Sequence, residues 1–301
     1  MRIGFIGLGK MGSRMVERLL LQGFEVVVYA RNPLSMKPLS EKGAIESFSY
    51  QDFCSKLPEK KIVFIMVTHG KPVDEVISNL LPYIKKGDII VDSGNSFYED
   101  SIARAKRLQK KGIKFLDAGI SGGLEGAING SSIMVGGDKD AFNEVEPVFK
   151  ALAVQDGYEL LGPVGAGHFV KMVHNGIEYC FLQALGEGYL LLEKSNFKFD
   201  LRKVTKVYKN GSVIRSWLVD LLARSLQNDP KLLRFEGHIG GGDTGKWTIL
   251  TAKKYGLKLP SLEVALKARK KSMAKPDFSS KVVSALRHEF GGHQEPNNQK
   301  K

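Results

Sequence analysis

Arg2-Ile3-Gly4-Phe5-Ile6-Gly7-Leu8-Gly9-Lys10-Met11-Gly12 opens the chain and decides how its first half folds. Residues 2–7 have the short apolar character of a buried strand, and a helical pattern runs from Ser13 to Gln22 before Gly23 stops it. Phe24 to Tyr29 then reads as a second strand. Between strand and helix lies a G-x-G-x-x-G formed by Gly7, Gly9 and Gly12, with Leu8, Lys10 and Met11 in the variable places. Alone the motif says little; at the head of a βαβ unit it points to a dinucleotide. The first glycine permits the tight turn, the second lets a pyrophosphate approach the backbone, and the third packs helix on strand. The helix N-terminus adds free N–H groups and a positive dipole end.

The alternation continues. Lys61 to Val67 reads as a buried strand leading into Thr68-His69-Gly70, and Pro72 to Tyr83 as a helix. Asp88 to Asp92 is a strand leading into Ser93-Gly94-Asn95-Ser96, and Ser101 to Lys111 a helix. Lys114 to Asp117 precedes a glycine-rich loop, Ala118 to Gly123, with a last strand at Ser132 to Val135. This predicts an α/β fold, a doubly wound parallel Rossmann sheet over residues 1–163. Ligands of such sheets sit beyond the carboxyl ends of the strands. Val67, Thr68, His69 and Asn95 are therefore placed beside the cofactor, and Asn95, Ser121, Gly122 and Gly123 beside the substrate. His69 by itself reads as a loop residue rather than a catalyst. The second strand ends in Tyr29-Ala30-Arg31-Asn32, without an acid to accept from a ribose 2′-OH. Arg31, with Asn32 beside it, stands where a 2′-phosphate would bind, which favours NADP over NAD. An arginine can also stack on adenine without selecting either.

From residue 164 onward helical patterns take over, predicting an all-α domain over residues 164–301. Its first helix runs to about Lys194 and carries Lys171, His174, Asn175 and Glu178 on one face, at i, i+3, i+4 and i+7. The rest of that helix is apolar enough to expect burial, so the polar stripe faces either solvent or a cleft. Further helices are expected at Asp200 to Asn210, Val213 to Leu226, Ser261 to Met273 and Ser279 to Phe290. Gly240 to Thr248 is too rich in glycine for a helix interior and reads as a loop. The polar tail from Gln294 to Lys301 is expected to fray.

Composition removes other classes. The 301 residues are 43% hydrophobic and 26% charged, ordinary for a globular protein of one or two domains. No apolar run approaches the roughly 18 residues of a membrane span, and a strand pattern from the first residues leaves no room for a signal peptide. A cytoplasmic protein is the expectation. The net charge of +13 is spread over scattered lysines without a nucleic-acid motif, so a solvated basic surface or an anionic small substrate is expected, with no nucleic-acid or membrane partner. Cys54 and Cys180 have no metal-ligand spacing, and no metal is expected.

Taken together the motifs resemble the 6-phosphogluconate dehydrogenases, over nearly the whole chain. Gly7 to Gly12 and Ser121 to Gly123 are shared with the wider β-hydroxyacid dehydrogenases. More specific are Gly165 to Tyr179, Thr244-Gly245-Lys246-Trp247-Thr248, and Arg287-His288-Glu289-Phe290-Gly291-Gly292-His293. The chain resembles the short form of the family, whose helical domain lacks a duplicated part.

The resemblance implies oxidation of 6-phosphogluconate at C3 by NAD(P), decarboxylation, and protonation to ribulose 5-phosphate. It assigns the base to Lys171, with a pKa depressed by burial and by Lys246, Arg269 and Arg287, and the acid to Glu178. Asn95, Ser121, Gly122, Gly123, His174 and Asn175 would contact the substrate; Tyr179, Lys246, Arg269 and Arg287 would bind its phosphate, with His293 nearby. Taken alone, Arg269 in Lys267-Ala268-Arg269-Lys270-Lys271 reads as a solvated helix face. In the family the C-terminal arginine and histidine come from a second subunit, which implies a homo-oligomer with shared sites. Ala30 and Asn32 depart from the pattern of NADP-dependent members and keep NAD open. The rival readings are a non-decarboxylating β-hydroxyacid dehydrogenase, acting on 3-hydroxyisobutyrate or reducing glyoxylate or succinic semialdehyde, and a non-catalytic NAD(P)-binding sensor or basic nucleic-acid binder. Neither needs both Glu178 and a phosphate cluster.

Overall fold

The structure, a computed structural model, describes residues 1–296. The chain divides into two compact units, Met1–Lys171 and Met172–Lys301. In the first, strands and helices alternate as β1 (Arg2–Ile6), α1 (Lys10–Leu21), β2 (Glu25–Tyr29), α2 (Lys37–Ser40), β3 (Ile45–Glu46), α3 (Tyr50–Ser55), β4 (Ile62–Ile65), α4 (Lys71–Leu80) and β5 (Ile89–Asp92). They continue with α5 (Tyr98–Gln109), β6 (Lys114–Ser121), α6 (Gly123–Asn129), β7 (Ser131–Gly137), α7 (Lys139–Leu152) and β8 (Ala153–Gly162). The strands form one sheet in the order β3-β2-β1-β4-β5-β6-β7-β8, so the chain reverses direction across the sheet at β1/β4, where ligands of such sheets bind. Alternate residues feed two cores. Ile3, Phe5, Val26, Val28, Phe64 and Val91 pack on one face; Val27, Val63, Ile65, Ile90 and Phe115 pack on the other.

The sheet departs from the sequence expectation in several places. The glycine-rich stretch after Asp117 is not a loop at first: β6 runs on to Ser121. β7 is antiparallel to β6, because the connection over residues 122–130 is shorter than the dozen or so residues a parallel crossover needs. β8, parallel to β7, escaped notice; its residues alternate poorly and most are partly exposed.

α8 (Ala166–Lys194) begins in the first unit and continues into the second. The second unit adds α9 (Leu201–Lys209), α10 (Trp217–Asn228), α11 (Asp243–Lys254), α12 (Pro260–Ser272) and α13 (Phe278–Gly291). Its core is built from Leu182, Leu185, Tyr189, Val219, Leu222, Val282 and Leu286, among others. Thr244 to Thr248 lie in the first turns of α11 rather than in a loop, since the run Gly240–Gly242 ends just before the helix starts and only Gly245 falls within it. Of the tail expected to fray, Glu295 is held: its carboxylate accepts the N–H groups of Glu236 and Gly237 at 2.8 and 2.7 Å. Residues 297–301 of that tail lie outside the described residues. No helix among the described residues is long and apolar enough to cross a membrane.

Candidate active site

The dinucleotide turn has the three properties its glycines require. Gly7 adopts φ +101°, and a Cβ there would strike the carbonyl of Met66. Gly9 has open space where a side chain would stand, leaving the exposed backbone free for a pyrophosphate. A Cβ on Gly12 would strike the Gly7 carbonyl, so only glycine lets α1 start so close to β1. The Gly9 N-cap makes no side-chain capping hydrogen bond, and the N-terminus of a helix such as α1 suits phosphate oxygens. These residues fit a dinucleotide. Past β2, Arg31 is exposed, and Asn32 uses its side chain locally, accepting the Leu34 N–H at 3.1 Å.

The loops after β4 and β5 and the end of β6 lie at carboxyl ends of neighbouring parallel strands. Thr68 and Asn95 are exposed and His69 is half-buried. Gly94 packs so closely that a Cβ would come within 2.9 Å of the Val67 carbonyl. Gly122 and Gly123 adopt φ +118° and +60°, making the turn into α6.

Asp117, missed in the sequence, organises the start of α8. Its carboxylate, fully buried, accepts the N–H of Gly165 at 2.7 Å and of His168 at 2.8 Å. Burial pushes its pKa up, opposed by His168 and the two N–H groups. His168 also shares a hydrogen bond with the Ser101 hydroxyl at 2.7 Å. One turn on, Lys171 is 9% exposed, with its Cβ and Cγ against the backbone of Gly119. The signal for Asp117 was an acid inside the apolar stretch Phe115 to Ile120, a poor place for a charge unless it has partners.

The polar stripe of α8 is confirmed as a stripe but not as a solvent face. Lys171 and Asn175 are buried, and His174 and Glu178 partly so. The exposed edge is instead apolar, with Val170, Val173 and Ile177 at 37, 37 and 65% exposure, against the expectation that the apolar surface would be covered. His174 Nδ1 lies 3.0 Å from Asn175 Oδ1 and 4.0 Å from a Glu178 oxygen.

Beside Glu178 the second unit gathers cations. Arg269 is buried, with its guanidinium carbon 3.8 Å from the Tyr179 ring centroid; the reading of Arg269 as a solvated helix face is overturned. Burial and the like charge of Arg269 push the Arg287 pKa down to about 10, while Tyr179 and Glu178 oppose the shift. Arg287 remains protonated at neutral pH. The Tyr179 hydroxyl shares a hydrogen bond with Thr244 at 3.1 Å, and a Cβ on Gly245 would overlap the tyrosine ring. Tyr179, Arg269 and Arg287 are thus brought together within one chain. Lys246 is exposed and directs its ammonium to Asp243 at 3.3 Å. His293 is exposed, its ring edge-on to Phe290. Among the described residues no cluster of His, Cys, Asp and Glu could hold a metal ion.

An eight-stranded Rossmann unit followed by an all-helical one, with a long helix spanning the boundary, defines an NAD(P)-binding enzyme of the hydroxyacid dehydrogenase superfamily. The model for the NAD binding domain of 6-phosphogluconate dehydrogenase matches residues 2–162 and that for the 6-phosphogluconate dehydrogenase C-terminal domain matches residues 167–300, so the chain belongs to the 6-phosphogluconate dehydrogenase family. It is 44% identical over 293 residues to YqeC of Bacillus subtilis, covering 97% of this chain and 98% of that one. It is 39% identical over 296 residues, 98% of each chain, to a protein of Haloferax volcanii named 6-phosphogluconate dehydrogenase, NAD(+)-dependent, decarboxylating. Among solved structures it resembles Plasmodium falciparum 6-phosphogluconate dehydrogenase, studied with its cofactor NADP+ and its substrate 6-phosphogluconate. The TM-score is 0.83 and the identity 30%, over 95% of this chain and 70% of that longer one.

Gly119 provides a test of the Lys171 placement. Its backbone is ordinary for an L-residue, but an added Cβ would overlap Lys171 Cβ and lie 2.8 Å from Lys171 Cγ. Gly119→Ala is expected to lower kcat by roughly 10²-fold while leaving dinucleotide affinity unchanged in a fluorescence titration. A kcat near wild type would show that Lys171 is not positioned by this contact.

Proposed function

We propose that the chain oxidatively decarboxylates 6-phospho-D-gluconate to D-ribulose 5-phosphate and CO2, reducing NAD(P)+. The observation that carries this reading is the Arg269–Arg287–Tyr179 cluster next to Glu178, on the helix that carries Lys171. The guanidiniums of Arg269, buried, and Arg287, half-buried, repel each other, and a dianionic phosphate relieves that repulsion with charge-assisted hydrogen bonds. A non-decarboxylating hydroxyacid dehydrogenase acting on an unphosphorylated substrate has no use for such a pair. The family membership and the named Haloferax relative support the same reaction.

Lys171, as the neutral amine, takes the C3 hydroxyl proton. The dinucleotide, held over Gly7, Gly9 and Gly12, supplies the hydride acceptor. The resulting β-keto acid loses CO2 because protonated Lys171 donates to the C3 oxygen and stabilises the enediolate. Glu178 then delivers a proton to the carbon that becomes C1 of ribulose 5-phosphate. Lys171 and Glu178 stand seven positions apart, about 10 Å along the helix axis, and His174 and Asn175 between them hold the carbon chain. The family resemblance assigns further substrate contacts to Asn95, Ser121, Gly122 and Gly123. Arg31 favours NADP+, whereas the name of the Haloferax relative favours NAD+.

Initial rates with 6-phosphogluconate and each cofactor test this directly. One CO2 per reduced cofactor is expected, with the higher kcat/KM for NADP+; reduced cofactor without CO2 would refute decarboxylation. Lys171→Met should lower kcat by roughly 10²–10⁴-fold without loss of cofactor binding.

A homo-oligomer is part of the proposal. The resemblance has a neighbour's arginine and histidine completing each site; the packing of α13 in its own core, with Arg287 near Arg269, supports a clamp closed within one chain. Co-expressed Lys171→Met and Arg287→Ala subunits discriminate the two. A clamp within one chain leaves every mixed oligomer inactive, and shared sites restore a substantial share of wild-type activity.

A further inference from the structure

Arg104 on α5 is 3% exposed, and neither the sequence motifs nor the reaction above gives it a role. Its guanidinium makes a two-pronged pair with Asp74 in the first turn of α4, Nε to Oδ1 and Nη2 to Oδ2, both 3.0 Å. Nη2 also donates to the Gly70 carbonyl at 3.0 Å. Gly70 is the N-cap of α4, at φ +80°. Nη1 lies 3.5 Å from Asp92 Oδ2. Burial acts to lower the Arg104 pKa, but Asp74 and Asp92 outweigh it and hold the pKa above its ordinary value.

Asp92 is fully buried at the end of β5. It accepts the Gly94 N–H at 3.2 Å and the Ser96 hydroxyl at 2.8 Å, bracketing Asn95. Across the gap, Gly94 leaves no room for a Cβ beside the Val67 carbonyl. One buried guanidinium therefore ties the loop holding Val67, Thr68 and His69 to the loop holding Asn95. Both loops lie at the carboxyl ends of adjacent strands, next to the dinucleotide turn.

We propose that Arg104 is a positioning residue that fixes the spacing of the β4–α4 and β5–α5 loops and thereby sets the affinity for the dinucleotide without touching it. A lysine could keep the charge, but as a point charge it cannot serve Asp74, Gly70 and Asp92 together from one planar fork. The inference rests on the dinucleotide-binding part of the proposed function, not on the identity of the sugar acid.

The test is direct titration of NAD+ and NADP+ against wild type, Arg104→Lys and Asp74→Asn, with thermal midpoints measured in parallel. Arg104→Lys is expected to raise the dissociation constant of the better cofactor about tenfold, and Asp74→Asn to raise it in the same direction by less. In turnover the loss should appear in the cofactor KM, with kcat at saturation within about twofold of wild type. Should Arg104→Lys fail to fold, Asp74→Asn alone carries the test. An unchanged dissociation constant in the folded variants, with only a lowered thermal midpoint, would overturn the proposal. Failure of the wild type to bind either dinucleotide would instead overturn the functional reading on which it stands.

Discussion

The grip of Asp117 on the first turn of α8 is the interaction on which the remaining chemistry depends. A buried carboxylate is costly unless its oxygens are satisfied, and here two backbone N–H groups satisfy it at the end of a helix whose dipole favours a negative charge. The contact also fixes direction. With Gly165 and His168 tied to β6, the first turn of α8 is fixed, and so is the side on which Lys171 emerges. Glycines make the approach possible: a Cβ on Gly136 would lie 2.6 Å from the Gly167 nitrogen, and one on Gly167 would strike the Met134 carbonyl. The lysine is thus carried on rigid backbone, not on a mobile loop.

A second constraint is electrostatic. Within the helical unit Arg287 is held close enough to Arg269 for the like charge, together with burial, to disfavour its own. Arg269 is steadied by the Tyr179 ring, and Tyr179 by Thr244. A folded chain that maintains such repulsion has aromatic stacking and packing to offset it, and stands ready for an anion of matching size. The same logic runs with opposite sign in the sheet unit, where Arg104 is buried among Asp74 and Asp92 and is neutralised outright.

Much of this was legible from residues alone. The glycine turn, the order of the early elements and the α8 stripe depend on local spacing, which sequence records directly. The α8 stripe shows the limit of that: spacing gave Lys171, His174, Asn175 and Glu178 a common face, but burial came only with the structure, because Gly119, against which Lys171 packs, is distant in sequence. Arg269 illustrates it further, since a basic run on a helix reads as solvated until Tyr179, ninety positions earlier, is seen beneath it. The direction of β7 depended on the length of a connection whose start was hidden by the glycines of β6. Thr244 to Lys246 read as loop because glycine propensity was allowed to spread into a helix start. Asp117 and Arg104 were invisible as a pair of anchors, since each is defined by partners on other elements.

In the proposed reaction one helix presents a base at Lys171 and an acid at Glu178 to the same substrate. Carrying out the reaction in D2O and examining C1 of ribulose 5-phosphate by NMR tests this most directly. A positioned acid predicts one solvent deuterium, in a single diastereotopic position. Deuterium spread equally over both positions, as protonation by free water would give, contradicts it.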